Sequence, residues 1–247
     1  YFQITRGAAK RDHTFPQGVP PTVFMMSNPL ATPTREQVER GVAVVTAEDN
    51  RWHRCDLKTI SLLGNVLMRQ LAAERGAVET VMFRDGFLTE ASASNVLVVI
   101  GGEIVVPPKD NLILPGITYD AAVEFAAEAR VPVVTRPVPK AEALAADEMW
   151  LTSSTKEVLA VTTVDGTPFA GGRPGPVFRK VWDVFERPSQ ARFPGSAPHS
   201  GSDVVVPNPP WWNTSPRPDA RSHVTTSPTK ITWSPACRNE WCRHSNH

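Results

Sequence analysis

Three two-residue turns constrain the fold of this chain more than any other feature. They are Asp85-Gly86, Gly101-Gly102 and Asp165-Gly166, and each separates two short runs rich in apolar and β-branched residues. Dipeptides of this kind supply the positive φ angles of type I′ turns, so each one predicts a β-hairpin. Because a hairpin pairs neighbouring strands antiparallel, the sequence predicts antiparallel sheet between residues 78 and 169.

Helical patterns lie between and around these hairpins. The longest predicts a helix over residues 59–74, with one buried face formed by Leu63, Val66, Leu67, Gln70 and Leu71. Further patterns predict helices at 118–129, 141–146 and 176–186, and strands at 1–5, 22–26, 41–46, 54–57, 112–114, 131–135 and 148–152. Strands interspersed with helices predict an α+β, or mixed α/β, fold.

The composition argues against several kinds of partner. The net charge of the 247-residue chain is +1, which disfavours nucleic acid or an acidic surface as a partner. No apolar run approaches the roughly 20 residues that a membrane helix needs, and no secretory apolar segment is recognisable near Tyr1. Three cysteines, one of them far from the other two, do not make a disulfide framework, so the predicted location is the cytoplasm.

The chain is predicted to divide within residues 27–34, a polar stretch with prolines that is typical of a linker. We expect one domain to end at residue 30 and a larger one to cover residues 31–186. Because Tyr1 lies inside a strand-like pattern, we also expect the first domain to continue upstream of the sequence.

The composition changes after residue 186. Across residues 187–247 regular periodicity disappears and prolines, serines, histidines and asparagines dominate, which predicts a disordered or non-native tail. Four potential zinc ligands lie there, Cys237, Cys242, His244 and His247. No folded segment is expected to support them, so no metal site is predicted.

Lys58 is the first candidate for chemistry, because it lies where the predicted helix of residues 59–74 begins. A lysine held there and partly removed from water favours its neutral amine, the form that attacks a carbonyl and makes a Schiff base. The simpler alternative is a lysine that extends into solvent at a helix end.

Three further segments have the chemistry to hold a phosphorylated ring beside such an amine. Residues 89–95 place Glu90 at a strand end in a bend of small residues, where a carboxylate could hold a proton on a ring nitrogen. Residues 114–118 end at a predicted helix N-terminus, whose amides suit a phosphate. Residues 152–155 add hydroxyl groups at another strand end. Taken singly, each segment is equally well explained as a turn or a capped helix.

In this order and spacing, the segments resemble the fold-type IV (class IV) pyridoxal-phosphate-dependent aminotransferases. The matching phrases are RCDLK at 54–58, TEASASNV at 89–96, LPGIT at 114–118 and LTSST at 151–155. The resemblance covers residues 1–186 and is strongest to the members that act on D-amino acids, because YFQITRG at 1–7 and RDH at 11–13 also match. It implies the class IV fold, with a large C-terminal domain and, in residues 1–30, the end of a small N-terminal domain.

The resemblance implies a role for each matching residue. Lys58 would bind pyridoxal 5′-phosphate and move the proton at the substrate Cα, and Glu90 would pair with the ring nitrogen. Arg11 and His13 would bind the substrate carboxylate. The other contacts to the cofactor would come from Ser94, Leu114, Gly116, Ile117, Thr118, Ser153 and Ser154. In this family the arginine–histidine pair reaches across a dimer interface, so a homodimer is also implied.

The implied function is transfer of an amino group from a D-amino acid of the D-alanine type to a 2-oxo acid such as 2-oxoglutarate. Branched-chain L-amino-acid aminotransferases and aminodeoxychorismate lyases share the lysine and the glutamate, so both are alternatives. The family's phosphate-site arginine and a tyrosine of the substrate pocket find no match in this sequence. Because a lost charge-assisted bond weakens cofactor binding, an inactive fragment is a third alternative.

Overall fold

A nine-stranded mixed β-sheet forms the centre of the fold in the computed structural model, which describes residues 1–30 and 32–192, with side chains up to Glu186. The elements in chain order are β1 (Phe2–Ile4), β2 (Val23–Met25), α1 (Arg35–Arg40), β3 (Val42–Glu48), α2 (Leu63–Glu74), β4 (Glu79–Arg84), β5 (Phe87–Ala91), β6 (Asn95–Ile100), β7 (Glu103–Val106), α3 (Ile117–Glu128), β8 (Val133–Thr135), α4 (Lys140–Leu144), β9 (Glu148–Ser153), β10 (Glu157–Val164), β11 (Thr167–Pro168), a short 3-10 turn (Ala170–Gly172) and α5 (Pro176–Arg192).

The large sheet contains both parallel and antiparallel neighbours. Its strand order is β5-β4-β3-β10-β9-β6-β7-β8, and β11 pairs with β10. Strand β3 is parallel to β4 and β10, and β8 is parallel to β7, whereas the other pairs are antiparallel. The predicted α+β, mixed α/β fold is therefore confirmed.

All three predicted hairpins are confirmed, as β4–β5, β6–β7 and β10–β11. The φ angles are 52° and 80° at Asp85-Gly86, 60° and 84° at Gly101-Gly102, and 48° and 77° at Asp165-Gly166. These left-handed values are what a two-residue turn between twisted strands requires. The turn residues thus connect three of the eight strand pairs described in the large sheet.

The sheet buries apolar side chains on both faces. On β9, Met149 and Leu151 belong to one apolar cluster, and Trp150 between them belongs to the other. This alternation follows from the two-residue repeat of a strand. Trp150 is fully buried and lies edge to face with Phe178 of α5, with 5.8 Å between the ring centroids. Helices α3 and α5 therefore cover the second face.

The prediction for α2 is wrong at its start and for its buried face. The helix begins at Leu63 rather than at residue 59, and the face that was expected to be buried is exposed, by 73% at Leu63, 57% at Val66 and 53% at Leu67. Met68 and Ala72 are the buried residues instead. The helix packs on β3 and β4 through Met68 and Ala72, with Leu71 partly buried beside them, so Leu63, Val66 and Leu67 are left exposed.

Two predicted strands, at 54–57 and 112–114, are also wrong, because both segments are irregular. Residues 54–57 close a turn in which the Leu57 amide donates to the Arg54 carbonyl at 3.2 Å. The Cys55 amide donates to the Asn111 carbonyl at 2.9 Å, so the two segments bind each other outside the sheet. Helix α1 was not predicted, and the remaining predicted elements are present with shifted ends.

Strands β1 and β2 form a separate two-stranded sheet. Every hydrogen bond that residues 1–30 make within the described part of the chain stays inside that segment. The domain boundary at residue 30 stays a prediction. Helix α5 continues to Arg192, and the rest of the predicted tail, with its four potential zinc ligands, lies outside the described residues. Among the helices of residues 1–30 and 32–192, none has the length and apolar character needed to cross a bilayer.

Candidate functional site

A buried cluster of two carboxylates and two guanidinium groups lies where β3 ends. Asp49 follows β3, and its carboxylate binds Arg51 through two parallel hydrogen bonds of 2.8 Å each. Arg84 of β4 also lies against Asp49, with 3.1 Å between Nη2 and Oδ1. Arg51 donates a further hydrogen bond to Glu90 Oε1. The side chains of Asp49 and Arg51 are 0% and 3% exposed, so these charges interact with little screening by water.

The second oxygen of Glu90 joins this cluster to the segment of residues 111–116. Oε2 accepts a hydrogen bond from the Leu114 amide at 3.1 Å and one from Asn95 Nδ2 at 3.3 Å. Asn95 Nδ2 also donates to the Leu114 carbonyl at 2.8 Å. A Cβ atom at Gly116 would lie 2.4 Å from Asn95 Oδ1, so any larger residue would displace the Asn95 side chain from its hydrogen bonds. Two of the four segments singled out in the sequence therefore meet at Glu90.

The electrostatics of the cluster differ between its two acids. Burial raises the pKa of Asp49, but the hydrogen bonds and charge of Arg51 together outweigh it, so the pKa of this carboxyl lies below its usual value. Burial also raises the pKa of Glu90, and here the Arg51 guanidinium offsets the effect only in part, so the pKa of Glu90 stays above its usual value. Without Arg51 the pKa of Glu90 would be higher still. Arg51 is therefore the group that favours the ionised form of Glu90.

The N-terminus of α3 lies beside this cluster and lacks a side-chain cap. The helix begins at Ile117 after the N-cap residue Gly116, which has no side chain to cap it. Within the described part of the chain, the amides of Ile117 and Thr118 make no hydrogen bond. Such amides, together with the helix dipole, favour an anion.

A third segment, residues 151–155, comes to the same place through strand pairing. Thr152 of β9 lies opposite Asn95 of β6. Its Oγ1 atom is buried and makes no hydrogen bond within the described residues, so it is available to a ligand. Ser153 and Ser154 follow in the turn that leads to β10, where Ser153 Oγ accepts a hydrogen bond from the Lys156 amide and Ser154 is exposed. The uncapped helix start and the unpaired hydroxyl fit a phosphate group.

Ser94 takes part in a different set of contacts. Its hydroxyl donates to the fully buried carboxylate of Glu79, which also accepts hydrogen bonds from Ser92 Oγ at 3.1 Å and from the Ala93 amide at 2.6 Å. Lys156 Nζ lies 2.9 Å from the same carboxylate. Ser94 lies in the bend before β6 and binds Glu79, whereas Asn95 binds Glu90. The predicted contact of Ser94 with the cofactor stays a prediction.

Lys58 lies in the irregular segment before α2, and its side chain is exposed. Among the residues that the structure describes, it makes no hydrogen bond and no ion pair. The prediction that it is partly desolvated at a helix start is wrong. The helix starts later because Thr59 Oγ1 accepts a hydrogen bond from the Ser61 amide at 3.2 Å, a local bond that competes with helix formation.

Both ends of the Lys58 segment nevertheless contact other parts of the fold near the cluster. Its first end is held where the Cys55 amide binds Asn111. Its second end enters α2 at Gly64, where a Cβ atom would lie 2.9 Å from Arg51 Cγ. The Lys58 segment is thus tied to Asn111 at one end and lies against Arg51 at the other, and its exposed amine makes no bond to a described residue that would restrain it.

Arg11 and His13 lie in the connection between β1 and β2, and both are exposed. Within the described residues, no hydrogen bond or ion pair links either side chain to Glu90 or Lys58. Their predicted role at the substrate carboxylate therefore stays a prediction.

Sequence reasoning missed Arg51, Asp49 and Glu79 as parts of the site. A signal existed for the first two, because an acid and an arginine two residues apart directly follow a buried strand. Glu79 gave no signal, since its partners are separated from it by at least 13 residues in the chain.

Comparison with known proteins matches residues 1–164 to the family described as amino-transferase class IV. A D-alanine aminotransferase of Bacillus licheniformis is 41% identical over 181 residues, which cover 73% of this chain and 64% of the relative. A D-alanine aminotransferase of Staphylococcus epidermidis is 36% identical over 188 residues, 76% of this chain and 66% of the relative. The chain thus spans just under two thirds of the length of these relatives.

Solved structures with a similar fold include the branched-chain amino acid aminotransferase of Escherichia coli. It superposes with a TM-score of 0.62 at 25% identity, over 74% of this chain and 62% of the other. A protein of Thermotoga maritima described as a putative branched-chain amino acid aminotransferase gives a TM-score of 0.58 at 30% identity, over 64% of this chain and 58% of the other.

Proposed function

The chain belongs to the class IV aminotransferase family, and from this membership we propose that it is a pyridoxal-phosphate-dependent transaminase. The proposed reaction moves an amino group from a D-amino acid of the D-alanine type to a 2-oxo acid such as 2-oxoglutarate. The observation that carries the proposal is the convergence of residues 89–96, 114–118 and 151–155 around the buried Glu90. The relatives named D-alanine aminotransferase support the choice of substrate.

Each residue of the chain has a distinct task in this proposal. When bound, pyridoxal phosphate supplies a ring that takes up the electrons left behind as the substrate Cα loses its proton. Glu90 holds a proton on the ring nitrogen, which a buried and ionised carboxylate does well. Lys58 provides the amine that binds the cofactor and then carries the proton at Cα.

The phosphate of the cofactor would be held at the start of α3. Ile117 and Thr118 offer free amides there, and Ser153 and Ser154 add hydroxyl groups from the turn after β9. We propose that the unpaired hydroxyl of Thr152 joins this site or the adjoining backbone. The half-buried Leu114 and the backbone of Gly116 would contact the ring.

We further propose a homodimer, in which Arg11 and His13 of one protomer bind the substrate carboxylate in the other. The exposed apolar side chains before and along α2 support this proposal. They are Ile60, Leu62, Leu63, Val66 and Leu67, each between 49% and 73% exposed. Contiguous apolar surface of this kind marks a protein–protein contact.

Replacing Val66 with aspartate should convert a dimer into a monomer. A charge at the centre of a desolvated apolar interface costs several kcal/mol, enough to raise a dissociation constant at least a hundred-fold. Sedimentation equilibrium measures the mass of the assembly directly. Glu74→Gln, a polar change on the same helix, serves as the control. A parent chain that sediments as a monomer at tens of micromolar would contradict the proposal.

The likeness to branched-chain aminotransferases favours one second candidate, transamination of branched-chain L-amino acids. The amino donor separates the two. With 2-oxoglutarate as acceptor and added pyridoxal phosphate, D-alanine should give pyruvate at least ten-fold faster than L-leucine gives its oxo acid. Activity with L-leucine alone would establish the second candidate. Release of pyruvate and 4-aminobenzoate from aminodeoxychorismate would indicate the lyase reaction.

A chain that stays colourless after dialysis against pyridoxal phosphate would support an inactive fragment instead. Location in the cytoplasm also belongs to the proposal, and it rests on the small number of cysteines.

A further inference from the structure

The orientation of the Glu90 carboxylate is fixed at both oxygens. Oε2 accepts hydrogen bonds from the Leu114 amide and Asn95 Nδ2, and Oε1 accepts one from Arg51 Nη1. The first two donors are neutral, whereas Arg51 is charged. A charge-assisted bond is roughly twice as strong as a neutral one, so Arg51 dominates the orientation of this group.

Arg51 is itself held by contacts that leave it no other position. Its guanidinium forms a two-pronged pair with Asp49, and Nη2 also donates to the Leu112 carbonyl at 3.2 Å. The start of α2 lies directly over its side chain at Gly64. Because Asp49 and the Leu112 carbonyl hold Nε and Nη2, the remaining nitrogen, Nη1, is directed at Glu90.

The charges of the cluster balance only when Glu90 is ionised. Asp49 and Glu90 contribute two negative charges, and Arg51 and Arg84 contribute two positive charges. Arg84 donates hydrogen bonds to the backbone carbonyls of Asp49 and Arg51, and within the described residues its ion pair is with Asp49 alone. The charge that balances Glu90 is therefore that of Arg51.

We propose that Arg51 is a positioning residue that keeps the Glu90 carboxylate ionised and turned so that it receives the proton-bearing ring nitrogen of the cofactor. This inference rests on the proposed function, because it assigns Arg51 a part in cofactor binding. It adds a residue to which neither the composition nor the matching phrases assign a role.

The test compares two ligands that differ only at the ring nitrogen. They are pyridoxal phosphate and its 1-deaza analogue, in which a C–H group replaces that nitrogen and cannot share a proton with Glu90. The ratio of the two dissociation constants, measured by equilibrium dialysis without substrate, reports the Glu90–nitrogen contact alone. A general loss of stability or of phosphate binding changes both constants and leaves the ratio unaltered.

Arg51→Met should reduce this preference for pyridoxal phosphate by about ten- to a hundred-fold, the value of one charge-assisted hydrogen bond. Arg51→Lys keeps the charge but loses the fork, so its ratio should lie between those of the parent and Arg51→Met. Arg84→Lys is the matched control. Arg84 is also a buried arginine and also binds Asp49, but it forms no ion pair with Glu90 in the described structure. Its ratio should equal that of the parent.

Two outcomes would overturn the inference. The first is an unchanged ratio in Arg51→Lys and in any Arg51→Met protein that folds, as judged by circular dichroism. The second is an equal change in Arg84→Lys. A parent chain that binds neither ligand would refute the proposed function and the inference with it, whereas a parent that binds both with an unaltered Arg51→Lys ratio refutes the inference alone.

Discussion

The Lys58→Ala variant is expected to lose transamination completely, together with the yellow colour that the parent acquires with pyridoxal phosphate. The proposed chemistry needs one primary amine that binds the cofactor and moves the Cα proton, and the other amine described near the site, that of Lys156, is paired with the buried Glu79 carboxylate. The unfolding midpoint should not change, because Lys58 is exposed and makes no hydrogen bond or ion pair with the described residues. Visible absorbance and a coupled pyruvate assay measure both effects.

Lys180→Ala is the control for this variant, since Lys180 is also an exposed lysine but lies on α5. It should keep both the colour and the activity. Retention of colour and turnover in Lys58→Ala would remove Lys58 from the site. Added methylamine offers a second check, because a small amine restores part of the activity only when the missing group is the reacting amine.

Asp49→Asn is expected to have the largest effect on folding, a loss of about 3–5 kcal/mol in the free energy of unfolding. The side chain of Asp49 is 0% exposed and balances two buried guanidinium groups, Arg51 and Arg84. Asparagine keeps the shape but removes the charge, which leaves only Glu90 to compensate both. Since a typical domain is stable by 5–15 kcal/mol, this loss is a large fraction of the total. Urea unfolding should show a lower midpoint with an unchanged slope.

The same substitution at Asp56 is the control, because Asp56 pairs with Arg54 at the surface. Ion pairs of that kind contribute little, so Asp56→Asn should unfold at the parent midpoint. An equal shift in the two variants would show that the buried cluster does not carry the stability assigned to it.

The contribution of Asp49 should also depend on pH in a defined direction. Its pKa is lower in the folded chain than the ordinary value of 3.8, so its contribution is fully present above that value and is lost as the pH falls through the folded pKa. Glu90 acts in the opposite sense, because its raised pKa makes ionisation costly to the folded state as the pH rises above 4.5. The stability difference between the parent and Asp49→Asn should therefore shrink below pH 3.8, which unfolding curves at several acidic pH values would measure.

Local rules were sufficient where neighbouring residues determine the structure. Asp85-Gly86 and Asp165-Gly166 specify their hairpins through their own backbone preferences, and no distant contact overrides them. The meeting of Glu90 with Leu114 was anticipated only through the family resemblance, since 24 residues separate them. Strand order, which brings such residues together, is not encoded in any short window of sequence.

The failures have the opposite cause. The apolar pattern of α2 indicated a helix correctly, but it contained more apolar positions than one contact with the sheet can cover. Met68 and Ala72 pack against the sheet, whereas Leu63 and Val66 remain exposed. Periodicity reports that a helix has an apolar side, but it does not report what lies against that side. The same limit hid the role of Arg51, whose partners come from three separate segments.

The contacts of Glu79 have a consequence for how the two turns flanking the site can change over evolutionary time. Its carboxylate binds the bend of residues 92–94 on one side and Lys156 of the β9–β10 turn on the other. A longer or shorter β9–β10 turn would move the Lys156 ammonium group away from Glu79. The buried carboxylate would then lack its counter-charge. Insertions should therefore be tolerated in that turn only when Glu79 is replaced at the same time, so the two positions are expected to vary together rather than singly.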